Sequence, residues 1–144
     1  MIQDVFCKII NGELAADVVY KDKEFWVIKD INPQAPVHLL VIPVKHFTSL
    51  EDFMDPVRNK TSAKSGSSAD HAFQAGRTSN GMEENNDELL GRALVVAHKA
   101  AHQAGIAGKG YRLIINEGQD GGKLVPHLHI HLLGGKRLGP KLVK

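Results

Sequence analysis

Residues 127–133 read His-Leu-His-Ile-His-Leu-Leu, a strict alternation of imidazole and apolar side chains. In an extended strand successive side chains point to opposite faces, so residues two apart share one face at a spacing of about 6.6 Å. The segment therefore puts three imidazoles on one face and three apolar side chains on the other. The alternation predicts a strand over His127–Leu133 whose apolar face packs on a core. Core packing does not explain the row of histidines on the other face, which therefore indicates a functional site.

The rest of the chain adds two helices and four more strands. Apolar residues at helical spacing predict a short helix over residues 4–10, ended by Asn11-Gly12, and a longer helix from Asp87 to about Gly105. Runs rich in Val, Ile and aromatic residues predict the strands Asp17–Tyr20, Phe25–Asp30, His38–Pro43 and Tyr111–Asn116. This order of elements favours an α+β fold, with an antiparallel sheet of about five strands and two helices.

One polar stretch interrupts this pattern. Residues 55–86 are dominated by Ser, Asn, Gly, Lys and Ala, and their only large apolar side chains are Val57, Phe73 and Met82. Such a stretch buries too little apolar surface to offset the entropy of ordering it. We therefore expect a single domain over residues 1–144 with a flexible polar insertion at about 55–86.

The composition restricts the classes of function. The chain has 144 residues, of which 42% are hydrophobic and 24% charged, as in an ordinary globular protein. A formal net charge of +2 provides no extended basic surface, and no apolar run approaches the roughly 20 residues of a membrane helix. The first residues do not resemble a signal peptide, and the single Cys7 suits a reducing compartment. We expect a cytoplasmic protein that binds neither nucleic acid nor membranes.

Two chemistries suit a row of histidines on one strand face. Alternating histidines can supply two ligands to zinc, although the sequence does not indicate the remaining ligands. Alternatively, one imidazole attacks phosphorus to form a phospho-histidine, while its neighbours orient it and move protons.

The residues that flank the row favour the second chemistry. Gly118, Gly121 and Gly122 form a glycine-rich loop in which backbone amides can approach phosphoryl oxygens. Asn116 follows one predicted strand and is a candidate donor to a phosphate or leaving group. Asp30 ends another strand and is a candidate for the ribose hydroxyls, a task that carboxylates perform in dinucleotide sites.

Longer motifs resemble those of one known family. The run of His and apolar residues over 127–133 resembles the signature of the histidine triad family. Residues 6–13, residues 30–43, and Asn116-Glu117-Gly118 with Gly121-Gly122 are similar to its Hint branch of purine nucleoside phosphoramidases. The resemblance covers the chain apart from residues 55–86 and the last few residues.

The resemblance implies an α+β fold and a homodimer whose two sheets join across the interface. It also implies hydrolysis of adenosine 5′-phosphoramidate or aminoacyl-adenylate-like compounds to AMP, with no metal or organic cofactor. In this reading His129 is the nucleophile, His127 orients it, His131 contacts the phosphate and leaving group, and His38 is a supporting histidine.

The resemblance also assigns the contacts of a purine nucleotide. The phosphate lies against Asn116 and the backbone of Gly122, Lys123 and Leu124. The ribose lies against Asp30, and the purine lies against Phe6, Ile9 and Ile31.

Three departures from the family pattern bear on function. Leu124 stands where the family usually has a Ser or Thr hydroxyl, which removes one donor to the phosphate or leaving group. The tail after Gly135 lacks the Trp-Pro-Pro ending that reaches the partner's site. Some bacterial relatives hold zinc at a site that begins Cys-x-x-Cys. Here Asp4 takes the first position and Cys7 remains, with His46 as a remnant, so we predict no structural zinc.

Two other functions stay open on the sequence. The triad does not define the leaving group, so one alternative is a dinucleoside polyphosphate hydrolase or transferase of the same superfamily. The missing hydroxyl at Leu124 leaves a second alternative, a non-catalytic nucleotide-binding scaffold with residues 55–86 as its partner-binding segment.

Overall fold

The computed structural model describes residues 3–54 and 86–140, which form three helices and five strands. In chain order the elements are α1 (Val5–Ile10), β1 (Val18–Lys21), β2 (Phe25–Lys29), β3 (Val37–Pro43), α2 (Glu51–Met54), α3 (Asn86–Gln103), β4 (Tyr111–Ile114) and β5 (Ile130–Gly134). The predicted α+β fold with five antiparallel strands is confirmed, and the short α2 is added to the two predicted helices.

The five strands form one antiparallel sheet in the order β1-β2-β3-β5-β4. Strand β5 lies between β3 and β4, so His131 pairs with Leu40 on one side and with Ile114 on the other. The last strand in sequence therefore occupies an interior position. One member of the histidine row lies there, fixed by hydrogen bonds from both neighbouring strands.

One face of the sheet packs on α3. Leu39 and Val41 of β3 and Ile130 and Leu132 of β5 belong to the larger core cluster, together with the alanines of α3. These alanines are the small residues that the helical periodicity marked as the buried stripe, and they let the helix approach the sheet closely. The apolar half of the alternation thus packs on a core, as predicted.

The opposite face packs on α1. Leu40 and Ile42 of β3 form a smaller cluster with Ile28 of β2 and with Phe6 and Ile9 of the helix. Because side chains alternate along a strand, His38 and His131 lie on this same face. The face is apolar under α1 and carries imidazoles beside it.

Helix α1 depends on local hydrogen bonds at both ends. Asp4 is its N-cap, and Oδ1 accepts hydrogen bonds from the backbone amides of Phe6 and Cys7 at 2.8 and 2.9 Å. The helix ends at Asn11-Gly12, as predicted, and Gly12 has a φ of +79°, which favours glycine. A helix of six residues is not stable alone, so α1 relies on these caps and on its burial against the sheet.

The triad segment is less regular than the alternation predicts. The strand begins at Ile130 rather than at His127, so His127 and His129 lie in the connection that precedes β5. Two local causes are visible: Pro126 has no amide hydrogen, and the Leu128 amide donates to the Phe47 carbonyl at 2.5 Å, outside the sheet ladder.

Other predicted boundaries shift in the same way. Strand β4 ends at Ile114 rather than at Asn116, and β2 ends at Lys29, because the chain leaves the sheet for the loops that carry the site. The predicted polar insertion lies outside the described residues, except for Asn86, which begins α3. Within the described ranges, no helix is long and apolar enough to cross a membrane.

Replacing Leu132 by Ala tests the interior role of β5. The side chain is fully buried, so its truncation leaves a cavity, and we expect the free energy of unfolding to fall by about 2–5 kcal/mol. Urea denaturation followed by circular dichroism measures this loss. The matched variant Leu14→Ala truncates a 44% exposed leucine and should change stability by less than about 0.5 kcal/mol. Equal losses of stability in the two variants would contradict the interior position of β5.

Candidate active site

The structure brings the four predicted histidines together on the α1 face of the sheet. His131 on β5 pairs with Leu40, so His38 on β3 is its diagonal neighbour. The ring centroids of His129 and His131 are 4.9 Å apart. Phe6 packs edge-on against the rings of both His127 and His129, at 5.8 and 5.0 Å between centroids. The three histidines of the row thus stay close together, although His127 and His129 lie outside the regular strand β5.

The hydrogen-bond partners of His38 define its tautomer. The Gln34 backbone amide donates to Nδ1 at 3.1 Å, and since an amide can only donate, Nδ1 accepts and the proton is on Nε2. That Nε2 lies 2.9 Å from Nδ1 of His131 and 3.2 Å from Oδ2 of Asp30. Burial, with the neighbouring histidines adding to it, lowers the pKa of His131 to about 4. A neutral His131 that accepts at Nδ1 carries its proton on Nε2. Asn116 Nδ2 lies 3.4 Å from this nitrogen, so the Asn116 amide has to turn by about 180° for its oxygen to accept that proton.

His129 has the opposite tautomer. Its Nδ1 lies 2.7 Å from the carbonyl oxygen of His127, and since a carbonyl can only accept, Nδ1 carries the proton. Burial lowers the pKa of His129, and the positive charge of Lys123 lowers it further. The ring is therefore neutral near pH 7, with a lone pair on Nε2. A neutral imidazole nitrogen with a free lone pair is a competent nucleophile.

His127 occupies the interior end of the row. Its side chain is fully buried, with Nδ1 3.2 Å from Oδ2 of Asp4 and Nε2 3.0 Å from the Pro43 carbonyl oxygen. Burial lowers the pKa of His127, and the Asp4 carboxylate opposes this shift. Sequence reasoning treated Asp4 only as a replaced cysteine. An Asp before a short apolar helix indicates an N-cap, but nothing local points to a partner so far along the chain.

Among the residues that the structure describes, two groups of side chains have atoms placed to hold a cation. Asp4, Cys7, His46 and His127 each offer a donor atom within 4.8 Å of the others, and so do Asp30, His38 and His131. The first group combines carboxylate, thiol and imidazole donors, which suit zinc. A zinc ion there would join α1 to the triad segment and supply a structural link rather than a reacting group. The absence of zinc stays a prediction.

The glycine-rich loop is closely packed. Gly118 and Gly122 have φ values of +65° and +72°, and a Cβ added at Gly121 would collide with the Glu117 carbonyl oxygen. The Gly122 and Lys123 amides donate within the loop, to the carbonyls of Gln119 and Gly118 at 3.0 and 3.1 Å. These two amides thus hold the loop in shape.

The Lys123 side chain ties the loop to a neighbouring segment. Its Nζ donates to the Thr48 carbonyl and lies 3.3 Å from Oε1 of Glu117. The other Glu117 oxygen accepts from the Leu50 amide at 2.9 Å. These contacts keep a positive charge near His129.

The remaining predicted contacts line the same region with different exposures. Phe6 and Ile9 are buried in the α1 cluster, whereas Ile31 and Leu124 are 92% and 94% exposed. Asp30 is mostly buried, and its Oδ1 accepts from the Asn32 amide at 2.8 Å. The exposed pair presents apolar surface to solvent.

The three alternating histidines on this antiparallel sheet are the feature that resembles the histidine triad family. The family model of the HIT domain matches residues 11–138. The chain belongs to the histidine triad family.

Individual relatives agree with this assignment. The chain is 39% identical to the purine nucleoside phosphoramidase of Escherichia coli strain K12, over 97% of this chain and 93% of that protein. A HIT family hydrolase from Clostridium thermocellum superposes with a TM-score of 0.74 at 38% identity, covering 99% of each chain. A histidine triad protein from Clostridium difficile superposes with a TM-score of 0.73 at 33% identity, over 98% of this chain and 97% of that one.

The depressed pKa of His131 makes stability depend on pH. An unfolded histidine binds a proton below about pH 6.5, whereas folded His131 does so only below about pH 4. The unfolded state binds more protons between these values, so stability is lost as the pH falls through this window. Between pH 7 and pH 5 we expect a loss of roughly 2 kcal/mol from this group, measured by urea denaturation. In the variant His131→Asn, the free energy of unfolding should depend less steeply on pH. An equal slope in the variant and the native protein would contradict the lowered pKa of His131.

Proposed function

We propose that this protein is a nucleotide phosphoramidase, which hydrolyses the P–N bond of adenosine 5′-phosphoramidate or aminoacyl-adenylate-like compounds and releases AMP. The observation that carries the proposal is the 2.7 Å hydrogen bond from His129 Nδ1 to the His127 carbonyl, because it leaves the His129 Nε2 lone pair for attack on phosphorus. The name and the 39% identity of the Escherichia coli relative support the same activity.

The reaction proceeds in two displacements. The anionic phosphate group of the bound substrate holds on His131 a second proton, which is taken up from solvent. In the first displacement, the His129 Nε2 attacks phosphorus, the P–N bond to the leaving group breaks, and His131 gives its Nε2 proton to the departing nitrogen and becomes neutral. The amine leaves, and the adenylyl group is held on His129. In the second, water gives its hydroxyl to phosphorus and a proton to His131, which releases AMP and restores both histidines.

The other site residues bind and orient the nucleotide. Each carboxylate oxygen has two lone pairs, so Asp30 accepts from the ribose hydroxyls as well as from its protein donors. In this proposal Asn116 and the backbone over 122–124 lie against the phosphate, near the charge of Lys123. The Gly122 and Lys123 amides are bonded within the loop, so the Leu124 amide is the donor to the phosphate among these three. Phe6, Ile9 and exposed Ile31 supply the apolar contacts for the purine. The reaction needs no metal or organic cofactor.

We extend the proposal to a cytoplasmic homodimer. Strand β4 is one of the two outer strands of the sheet, so one of its edges faces away from the other four strands and can pair with the same edge of a second copy. Leu94 and Val95 of α3 are 46% and 53% exposed, which provides apolar area for such an interface. The free thiol of Cys7 suits the reducing cytoplasm.

Replacing His129 by Ala tests the nucleophile. We expect the release of AMP from adenosine 5′-phosphoramidate to fall by more than about a thousandfold, because the chain then lacks the attacking nitrogen. The matched control His102→Ala removes an exposed histidine on α3 and should keep wild-type turnover.

Three results would contradict the assignment in different ways. Wild-type turnover by the His129→Ala variant would exclude the mechanism. Faster turnover of a diadenosine polyphosphate by the native protein would favour the polyphosphate hydrolase or transferase. Tight AMP binding without hydrolysis of a phosphoramidate would favour the scaffold.

Replacing Leu124 by Ser tests the missing hydroxyl. Leu124 is 94% exposed, so the change should leave the fold intact and add a donor next to the phosphate or leaving group. A hydrogen bond to a charged group contributes about 1.5–3 kcal/mol, so kcat should rise roughly 10- to 150-fold if the bond forms in the transition state. Steady-state kinetics on the phosphoramidate measures this rise. The control Leu124→Ala removes the apolar side chain without adding a hydroxyl, and an equal gain there would contradict the prediction.

A further inference from the structure

One lysine side chain turns inward at the end of the glycine-rich loop. The Lys123 side chain is only 9% exposed, and its Nζ donates to the Thr48 carbonyl and lies 3.3 Å from Oε1 of Glu117. The next side chain, that of Leu124, is 94% exposed. Lysine is rarely buried unless it is paired, so these two neighbours have the opposite of their usual exposures. The Lys123 ammonium therefore serves a contact within the protein.

The segment that the lysine contacts, residues 47–50, also holds the histidine row. The Phe47 side chain is fully buried in the larger core cluster, and its carbonyl accepts from the Leu128 amide at 2.5 Å. Three residues further on, the Leu50 amide donates to Oε2 of Glu117 at 2.9 Å. One short segment anchored in the core thus contacts both the triad connection and the glycine-rich loop.

The first and last residues of the loop meet at the lysine. The Lys123 amide donates to the Gly118 carbonyl at 3.1 Å, while its Nζ pairs with Glu117. The peptide that follows carries the Leu124 amide, the proposed donor to the phosphate. The position of this amide relative to His129 therefore depends on how Lys123 is held.

The pair between Glu117 and Lys123 joins opposite charges. Burial raises the pKa of Glu117, but the hydrogen bond from Leu50 and the positive charge of Lys123 together lower it below its usual range. The carboxylate is therefore ionised near pH 7, and its hydrogen bonds are charge-assisted. Glu117 is 40% exposed, so the ion pair contributes little to global stability. Its effect is on the geometry of the loop.

We propose that Lys123 is a positioning residue for the reaction, whose ammonium holds the glycine-rich loop against residues 47–50 and thereby sets the Leu124 amide relative to His129. This inference rests on the proposed function of His129. It gives the Lys123 side chain a task of its own, beside that of the loop backbone. Because the ammonium contacts two acceptors within the protein, it acts on the loop and not on the phosphate.

The test replaces Lys123 by Met, which keeps most of the apolar stem and removes the ammonium. We expect kcat for adenosine 5′-phosphoramidate to fall about 10- to 100-fold, because the phosphorus is no longer held in line with His129 Nε2. The purine and ribose contacts remain, so KM should change little. In amide NMR, addition of AMP should move the Leu124 resonance of the native protein, and it should move that of the variant less.

A second variant, Glu117→Gln, distinguishes positioning from a direct contact with the phosphate. It weakens the hold on the Lys123 ammonium, so positioning predicts that kcat falls by about 2- to 10-fold, the effect of one lost hydrogen bond. An ammonium that acts on the phosphate would instead be freed, and kcat would not fall. The double variant should lose no more activity than Lys123→Met alone, because both changes break the same link.

A matched control separates positioning from the general loss of a charge. Arg92 on α3 also forms an ion pair with a distant residue, with Nη2 2.8 Å from Oε1 of Glu24, and neither residue belongs to the loop or to residues 47–50. The variant Arg92→Met should keep the kcat of the native protein and its shift of the Leu124 resonance.

Three kinetic outcomes would overturn the inference. The first is a Lys123→Met variant with native kcat, the second is a Glu117→Gln variant with native or higher kcat, and the third is losses that add in the double variant. Amide exchange in the ligand-free protein does not depend on turnover, and we expect the amides of residues 122 and 123 to exchange faster in Lys123→Met than in the native protein. An inactive native protein would refute the proposed function, whereas equal exchange rates would refute the hold of Lys123 on the loop.

Discussion

The hydrogen bond between His129 Nδ1 and the His127 carbonyl is the interaction on which the site depends. A neutral imidazole has one proton and one lone pair, and a backbone carbonyl can only accept, so this contact determines which nitrogen is free. The same logic acts in reverse at His38, where a backbone amide occupies Nδ1 and leaves the proton on Nε2. Backbone groups thus set the tautomers of two rings whose side chains are chemically identical.

The position of the row within the fold explains why the rings stay neutral. The sheet places His131 in an interior strand, and α1 covers the face beside it with apolar side chains. Burial disfavours the charged imidazole more than Asp30 favours it at His131, so its pKa falls. The nucleophile His129 needs this neutrality near pH 7, because only a neutral imidazole has a lone pair with which to attack phosphorus. The fold therefore contributes to the proposed chemistry through desolvation as well as through geometry.

The sequence predicted the parts of this arrangement that depend on local periodicity. The alternation over 127–133 indicated the histidine face, and the five strands and two main helices follow from apolar spacing and turn residues. The early end of β4, the late start of β5 and the short α2 were not predicted, because they depend on where loops find hydrogen-bond partners. The Leu128 amide, for example, bonds to Phe47 rather than to a neighbouring strand.

The contacts that join distant parts of the chain were beyond sequence reasoning altogether. Asp4 and His127 are 123 positions apart, and their contact arises only when α1 packs on the sheet. The alternation and the strand ends had indicated the triad residues and Asp30, the resemblance to the histidine triad family added His38, and the structure brings these residues together. The resemblance gave no role to Asp4, because it treated this residue only as the replacement of a zinc-binding cysteine.

The brevity of α1 has a consequence for how the protein loses activity. A helix of six residues is not stable without the sheet beneath it, so we expect α1 to open locally at a low free-energy cost. Strands β3 and β5 are interior strands, so we expect them to open only at a high cost. Transient detachment of the helix would free the His127 ring and uncover Phe6 while every interior strand stayed paired. On heating, the enzyme would then lose activity reversibly at a temperature below that of global unfolding. Backbone amide hydrogens would also exchange faster in this helix than in the central strands.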